Sequence, residues 1–240
     1  MIGFFPDPYP DELLYSACAR FGDRSNYRNV TTVAQQLFGS SAGMAVISFP
    51  NRIGHLVSVL PPGHKYTVDR LIDDHTPLRF YSPFIESSRL TIIRREMRVN
   101  KENRICSRLG INAGRLASPD SLRFCPECVK ADRQRYSETY WHRVHQLAGV
   151  HVCPDHAVFL VSSLAGCRER ESSKAFISAD RIVNNIPSQP IDPRSREHDI
   201  LLRIDSRREV ATRLARKASD KRGTSSALSQ STAYKRARLL

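Results

Sequence analysis

Apolar positions in the first hundred residues recur three and four apart, in short bursts broken by proline, glycine and polar pairs. This is the period of an amphipathic helix, not the alternation of a strand. Leu14, Ala17, Cys18 and Phe21 form the first burst, with Asp11 placed to cap it and Gly22-Asp23 to end it. Val33, Ala34, Leu37 and Phe38 form the second, opened by Thr32 and Gln35 in capping-box spacing and stopped at Gly39. Asn51 opens a third, with Ile53, Leu56, Val57 and Leu60 inward and Pro61-Pro62 beyond. Thr67 opens a fourth, with Val68, Leu71, Ile72 and His75 on one side and Pro77 after it. Leu90, Ile93 and Met97 mark a fifth. Helices this short are marginal alone and must pack on one another. The pattern predicts a mainly α fold: an N-terminal multi-helix unit over residues 1–100 with helix-turn-helix-type connections, a small cysteine-bearing unit over 101–165, and a basic extension over 166–240. Ile200, Ile204, Ala211 and Leu214 predict one helix in that extension, about 197–217, followed by disorder.

Charge sharpens this division. The 240 residues carry 37 Lys and Arg against 24 Asp and Glu, a net +13. The excess gathers at the end: from Arg207 onward there are ten basic and two acidic residues. A basic segment of that kind implies an anionic partner, with DNA first and an anionic membrane surface second. Arg207, Arg208, Arg213, Arg216, Lys217, Lys221 and Arg222 are the candidate phosphate contacts there. In the helical part, Asn26, Arg28, Asn29 and Arg52 stand where they could reach phosphates or bases, each also explicable as a solvated polar position. No apolar run approaches membrane-spanning length, and the first residues lack the basic and apolar regions of a secretory signal. The expected location is the cytoplasm, in association with the nucleoid, where cysteines serve as metal ligands or core residues in preference to disulfides.

The chemistry-bearing motif is Cys125-Pro-Glu-Cys128, followed after 24 residues by Cys153-Pro-Asp-His156. Each pair holds two residues between its ligands, the spacing of a knuckle that aims both donors at one point. Three thiolates and an imidazole suit one tetrahedral Zn2+ and leave no position for water, so the role indicated is structural. His142, His145 and His151 lie between the knuckles. His145 competes with His156 but lacks the paired spacing. With Trp141 and Val144 it reads as part of a helix packed on the metal site, and as a hydrogen-bonded residue beside it. Cys18 sits on an apolar helix face and reads as core filler, whereas Cys106 and Cys167 have no knuckle partner. A deaminase would need His-x-Glu upstream and Pro before Cys125, where Phe124 stands. HExxH and a GxxxxGK[ST] loop are absent. Asp73, Asp74 and Glu86 could bind magnesium in a nuclease, but nothing in their spacing sets them apart from a solvated face.

Two stretches resemble the TniQ/TnsD family of bacterial transposon target-selection proteins. Residues 5–16, FPDPYPDELLYS, are similar to the family's opening P-x-P-x-x-x-E-L-L-x-S segment. RFCPEC and RYSETYWHRVHQLAGVHVCPDHAVFL are similar to its zinc segment. The resemblance covers about residues 4–165. It implies a helix-turn-helix-type unit joined to a zinc-ribbon-type unit, with Cys125, Cys128, Cys153 and His156 as ligands. It further implies an adaptor, not an enzyme, that binds DNA or, in some branches, an RNA-guided targeting complex, and recruits the AAA+ ATPase TnsC. The alternatives are a zinc-containing transcription regulator that binds an operator and, less favoured, a metal-dependent nuclease.

Overall fold

A computed structural model describes residues 1–27, 30–40, 46–99, 105, 121–166, 175–184 and 186–192. The expected basic helix near 197–217, the candidate phosphate contacts from Arg207 to Arg222, Arg28, Asn29, Cys106 and Cys167 all lie outside these residues.

Among the described residues, six α-helices make the first part: α1 (Leu14–Ser25), α2 (Val30–Phe38), α3 (Ile53–Val59), α4 (Val68–His75), α5 (Leu78–Tyr81) and α6 (Ser87–Val99). Four residues separate α1 from α2, the length of a helix-turn-helix connection. The apolar bursts face one core. Leu14, Cys18, Phe21, Val33, Leu37, Phe38, Ile53, Leu56, Leu71, Ile72, Ile93 and Met97 are all buried in it. α1 runs through Gly22-Asp23 and ends at Ser25, where Asn26 takes the left-handed conformation at φ 49°. Its start has no side-chain cap, because Asp11 is engaged elsewhere. α2 begins at Val30, which puts Thr32 inside the helix and removes the expected capping box. Gly39 does end it, at φ 64°, with its N–H returned to Gln35 O at 2.9 Å.

α3 then closes the far end of α2. His55 Nδ1 lies 3.1 Å from Leu37 O, and Arg52 Nη1 donates to Gly39 O at 3.2 Å. Arg52 is therefore a brace for the carbonyl end of α2. Thr67 caps α4 as expected, accepting from Arg70 N at 3.1 Å, and Val68, Leu71, Ile72 and His75 are the buried residues of that helix. α4 presents Asp69 and Asp73 to Arg94 and Arg98 of α6.

The second part centres on an antiparallel pair, β1 (Ser121–Phe124) and β2 (Val161–Gly166), with Phe124 opposite Val161. α7 (Pro126–Tyr136) follows β1 directly, and α8 (Ala179–Ile182) lies beyond β2. Trp141 is fully buried in a cluster with Leu13, Tyr15, Leu122, Phe124, Val129, Ala179 and Val183. The expected helix around Trp141 is replaced by extended chain and a single 3-10 turn, Val144–Gln146. The cause is a competing set of partners. Trp141 N donates to Ser16 Oγ at 3.1 Å, and Trp141 O accepts from Leu13 N at 2.9 Å. A backbone already paired to α1's leading segment has no groups left for a helix.

Candidate metal centre

β1 delivers Cys125 to the start of α7. Pro126 occupies the first helical position, where its missing N–H costs nothing, and Cys125 Sγ serves as the cap by accepting from Cys128 N at 3.4 Å. Cys128 lies one turn into the helix, on the same side. The second knuckle is a tight turn closed by Cys153 N to Val158 O and Ala157 N to Cys153 O, both at 2.9 Å, with Val152 bridged to Phe159. It brings Cys153 and His156 against the first knuckle.

The four donor atoms lie within 4.8 Å of one another. Cys128 Sγ is 3.6 Å from Cys153 Sγ. His156 Nδ1 is 3.6 Å from Cys125 Sγ, 3.3 Å from Cys128 Sγ and 3.6 Å from Cys153 Sγ. Ordinary zinc–sulfur and zinc–nitrogen bonds set at tetrahedral angles place sulfur about 3.8 Å from sulfur and about 3.6 Å from nitrogen. The spacing, the soft donors and the closed number of four thus fit a metal ion. The cysteines are buried, with Val158 and Leu160 packed on them, while His156 faces solvent. Hydrogen bonds from Cys128 and Cys153 hold the Cys125 thiol far below its ordinary value. The same contacts push Cys128 up, and push Cys153 up to about 12. Three sulfurs this close cannot all ionise alone, and a bound cation removes that conflict.

His145 is fully buried beside the cluster, with Nε2 at 3.9 Å from Cys128 Sγ. Burial holds its pKa well below the ordinary value, so it is a neutral imidazole. Its ring lies 4.9 Å from that of His142, whose Nε2 meets Asp132 Oδ2 at 2.9 Å. Thr139 Oγ1 donates to the same carboxylate oxygen at 3.1 Å.

Polar contacts weld this centre to the helical part. Asp11 takes Val144 N and Arg143 Nε, each at 3.0 Å, and so caps the 3-10 turn in place of α1. Glu12 bridges to His142 through the backbone. Arg20 donates to Glu12 at 2.8 Å and pairs with Glu138 at 2.9 Å, and Glu138 also takes Arg24 and the Tyr9 hydroxyl. The guanidinium of Arg20 lies 3.9 Å above the Tyr9 ring. This network was not legible in the sequence. The available signal was a glutamate and an arginine, Glu12 and Arg20, embedded in segments otherwise apolar enough to be buried.

The remaining candidates separate clearly. Asn26 is exposed at the end of α1, and Arg52 braces α2. Asp73 is held by Arg94, Asp74 by Arg70 and Arg79, and Glu86 accepts from Ser88 Oγ. Among the described residues, the one group of three or more metal-ligating side chains is the Cys/His cluster. No helix among them is long and apolar enough to cross a membrane.

This architecture is that of a helical module fused to a Cys3His cluster that could hold a metal ion. The TniQ family model matches residues 3–160, and the chain belongs to the TniQ family. It is similar to the Transposon Tn7 transposition protein TnsD of Escherichia coli, with 30% identity over 156 residues. That match covers 65% of this chain and 31% of the relative, so the chain spans about a third of the length of the curated protein it matches.

Proposed function

We propose that this chain is a non-enzymatic target-selection adaptor of transposition: it binds DNA or a targeting complex at an insertion site and recruits the AAA+ ATPase TnsC. The observation that carries the reading is the extent of the family match. Residues 3–160 take in both the helical core and the metal cluster, the two parts joined by Asp11, Glu12 and Arg20. The similarity to TnsD supports a transposition role. In this reading Zn2+ occupies Cys125, Cys128, Cys153 and His156 and acts structurally, since four protein donors complete its shell. The family resemblance supports an adaptor role over catalysis, and the acidic residues considered for magnesium are held in separate contacts with Arg94, Arg70, Arg79 and Ser88. The basic residues Arg207, Arg208, Arg213, Arg216, Lys217, Lys221 and Arg222 supply electrostatic affinity for DNA, consistent with their density. An RNA-guided complex is the targeting partner in those systems that use one.

The direct test is a pull-down of the zinc-loaded chain with the cognate ATPase assembled on DNA with ATP. Association supports the adaptor. No association, together with tight binding of one operator as a dimer, replaces it with a transcription regulator.

A further inference from the structure

A divalent cation does not cancel the charge of three thiolates, and sulfur charge withdrawn from water needs N–H donors around it. Two of the three sulfurs are served by their own knuckles. Cys125 Sγ accepts from the backbone N–H of Cys128 at 3.4 Å and from that of Glu127. Cys153 Sγ accepts from the backbone N–H of Asp155. Cys128 has no such turn, because it lies inside α7, where the next N–H, that of Val129, is already given to Cys125 O at 3.1 Å. The side-chain nitrogen that reaches it from outside the four-donor set is His145 Nε2, at 3.9 Å from Cys128 Sγ.

The surroundings of His145 fix which nitrogen carries the proton. The ring is fully buried, and among the described residues Nδ1 meets no hydrogen-bonding group. A proton on Nδ1 would leave a buried donor unpaired and aim the Nε2 lone pair at sulfur. A proton on Nε2 avoids both. The ring is also held in place: it lies against His142, which Asp132 and Thr139 anchor.

We propose that His145, as its Nε2–H tautomer, donates a hydrogen bond to the Cys128 thiolate and is a positioning residue of the metal centre. This rests on the metal-centre reading given above. The role is set by atom position, so glutamine, whose amide nitrogen extends as far as Nε2, replaces it, and phenylalanine, which fills the space without a donor, does not.

The test uses the full chain and its His145→Phe, His145→Gln and His156→Ala variants. Zinc affinity is read by competition with a chromophoric chelator. The sulfur-to-metal charge-transfer band is read on the cobalt-loaded proteins, and helicity by circular dichroism. His145→Phe is expected to bind zinc about 10- to 100-fold more weakly. Its cobalt band should move to longer wavelength, because a thiolate without its N–H donor gives up charge more readily. His145→Gln should restore both. The proposal is overturned if His145→Phe keeps the parent affinity and band. It is equally overturned if His145→Gln, with parent helicity, is as weak as His145→Phe. Retention of metal by His156→Ala alongside loss in both His145 variants would make His145 the fourth ligand and end the donor role. Failure of the parent chain to take up zinc would overturn the metal-centre reading and this proposal with it.

Discussion

Arg20 reaches Glu12 at 2.8 Å with only 4% and 0% of the two side chains exposed. An ion pair this deep is strongly destabilising to break from one side, by about 3–5 kcal/mol, because the remaining charge is left without a partner. It also joins two parts of the chain, since the same guanidinium holds Glu138 from the segment after α7. The pair is lopsided: Tyr9 N and Arg20 Nη1 both donate to Glu12 Oε2.

That imbalance predicts a pH dependence. Burial outweighs the attraction of Arg20 and pushes the Glu12 carboxyl up to about 7. A carboxyl raised in the folded state favours folding most when protonated. Its contribution is therefore fully present below the unfolded value near 4.5 and is lost as pH rises through about 7. One such group changes stability by at most about 1.4 kcal/mol per pH unit. Urea unfolding at intervals from pH 5 to 8 should show a steeper decline in the parent than in Glu12→Gln. Taking the difference between the two removes the contributions of His75 and His142. Parallel curves would show that Glu12 is ionised throughout.

The packing of α3 on α6 makes a second prediction. A Cβ built on Gly54 would lie 2.8 Å from the backbone oxygen of Arg98. Backbone cannot swing aside as a side chain does, so Gly54→Ala must push the two helices apart. The cost expected is about 1–3 kcal/mol, typical of overpacking. A thermal melt of Gly54→Ala at the parent midpoint would expose an error in the packing.

How much of this was legible follows from the range of each interaction. Thr67 and the buried face of α4 were readable because cap and partner are three residues apart. The knuckles were readable because ligand geometry demands fixed spacing. Asp11 stands nearest the start of α1, but its carboxylate takes groups more than 130 residues away, at Arg143 and Val144. Trp141 has helical apolar spacing, and its partner Ser16 lies 125 residues distant. The segment 175–192 carries no periodic signal, yet it supplies Ile177 O to Trp141 Nε1 at 2.8 Å and sets Phe176 against Tyr15.

Removing the metal should be visible through Trp141, the one tryptophan in the sequence. The metal cluster and the Trp141 cluster flank α7, one through Cys128 and the other through Val129. Structural metal binding contributes folding free energy, so its loss should loosen that helix. Cys125→Ser and Cys153→Ser are expected to lose zinc and shift the emission of Trp141 to the red, as a strong chelator should in the parent. Full zinc content in both variants would rule out the assigned ligands.

The last prediction separates folding from electrostatics. Tyr15 Oη donates to Ala175 O at 3.1 Å and accepts from Ile177 N at 3.0 Å, Val158 bridges to Pro190, and Ile191 is buried. A chain ending at 165 can form none of these interactions and uncovers Trp141. It should melt early with red-shifted emission even in zinc. A chain ending at 192 keeps them and should melt as a cooperative unit with zinc bound. The same chain lacks the ten basic residues found from Arg207 onward. If those residues neutralise phosphates, its affinity for duplex DNA should fall by a similar factor on unrelated sequences. The slope of log affinity against log salt should also flatten, by roughly 0.9 for each phosphate that the tail would have neutralised. Titrations at several salt concentrations, with the full chain beside the 192-residue chain, measure that slope. Equal slopes would move the phosphate-binding residues into residues 1–192. Weakening confined to one DNA sequence would mean that the tail reads bases.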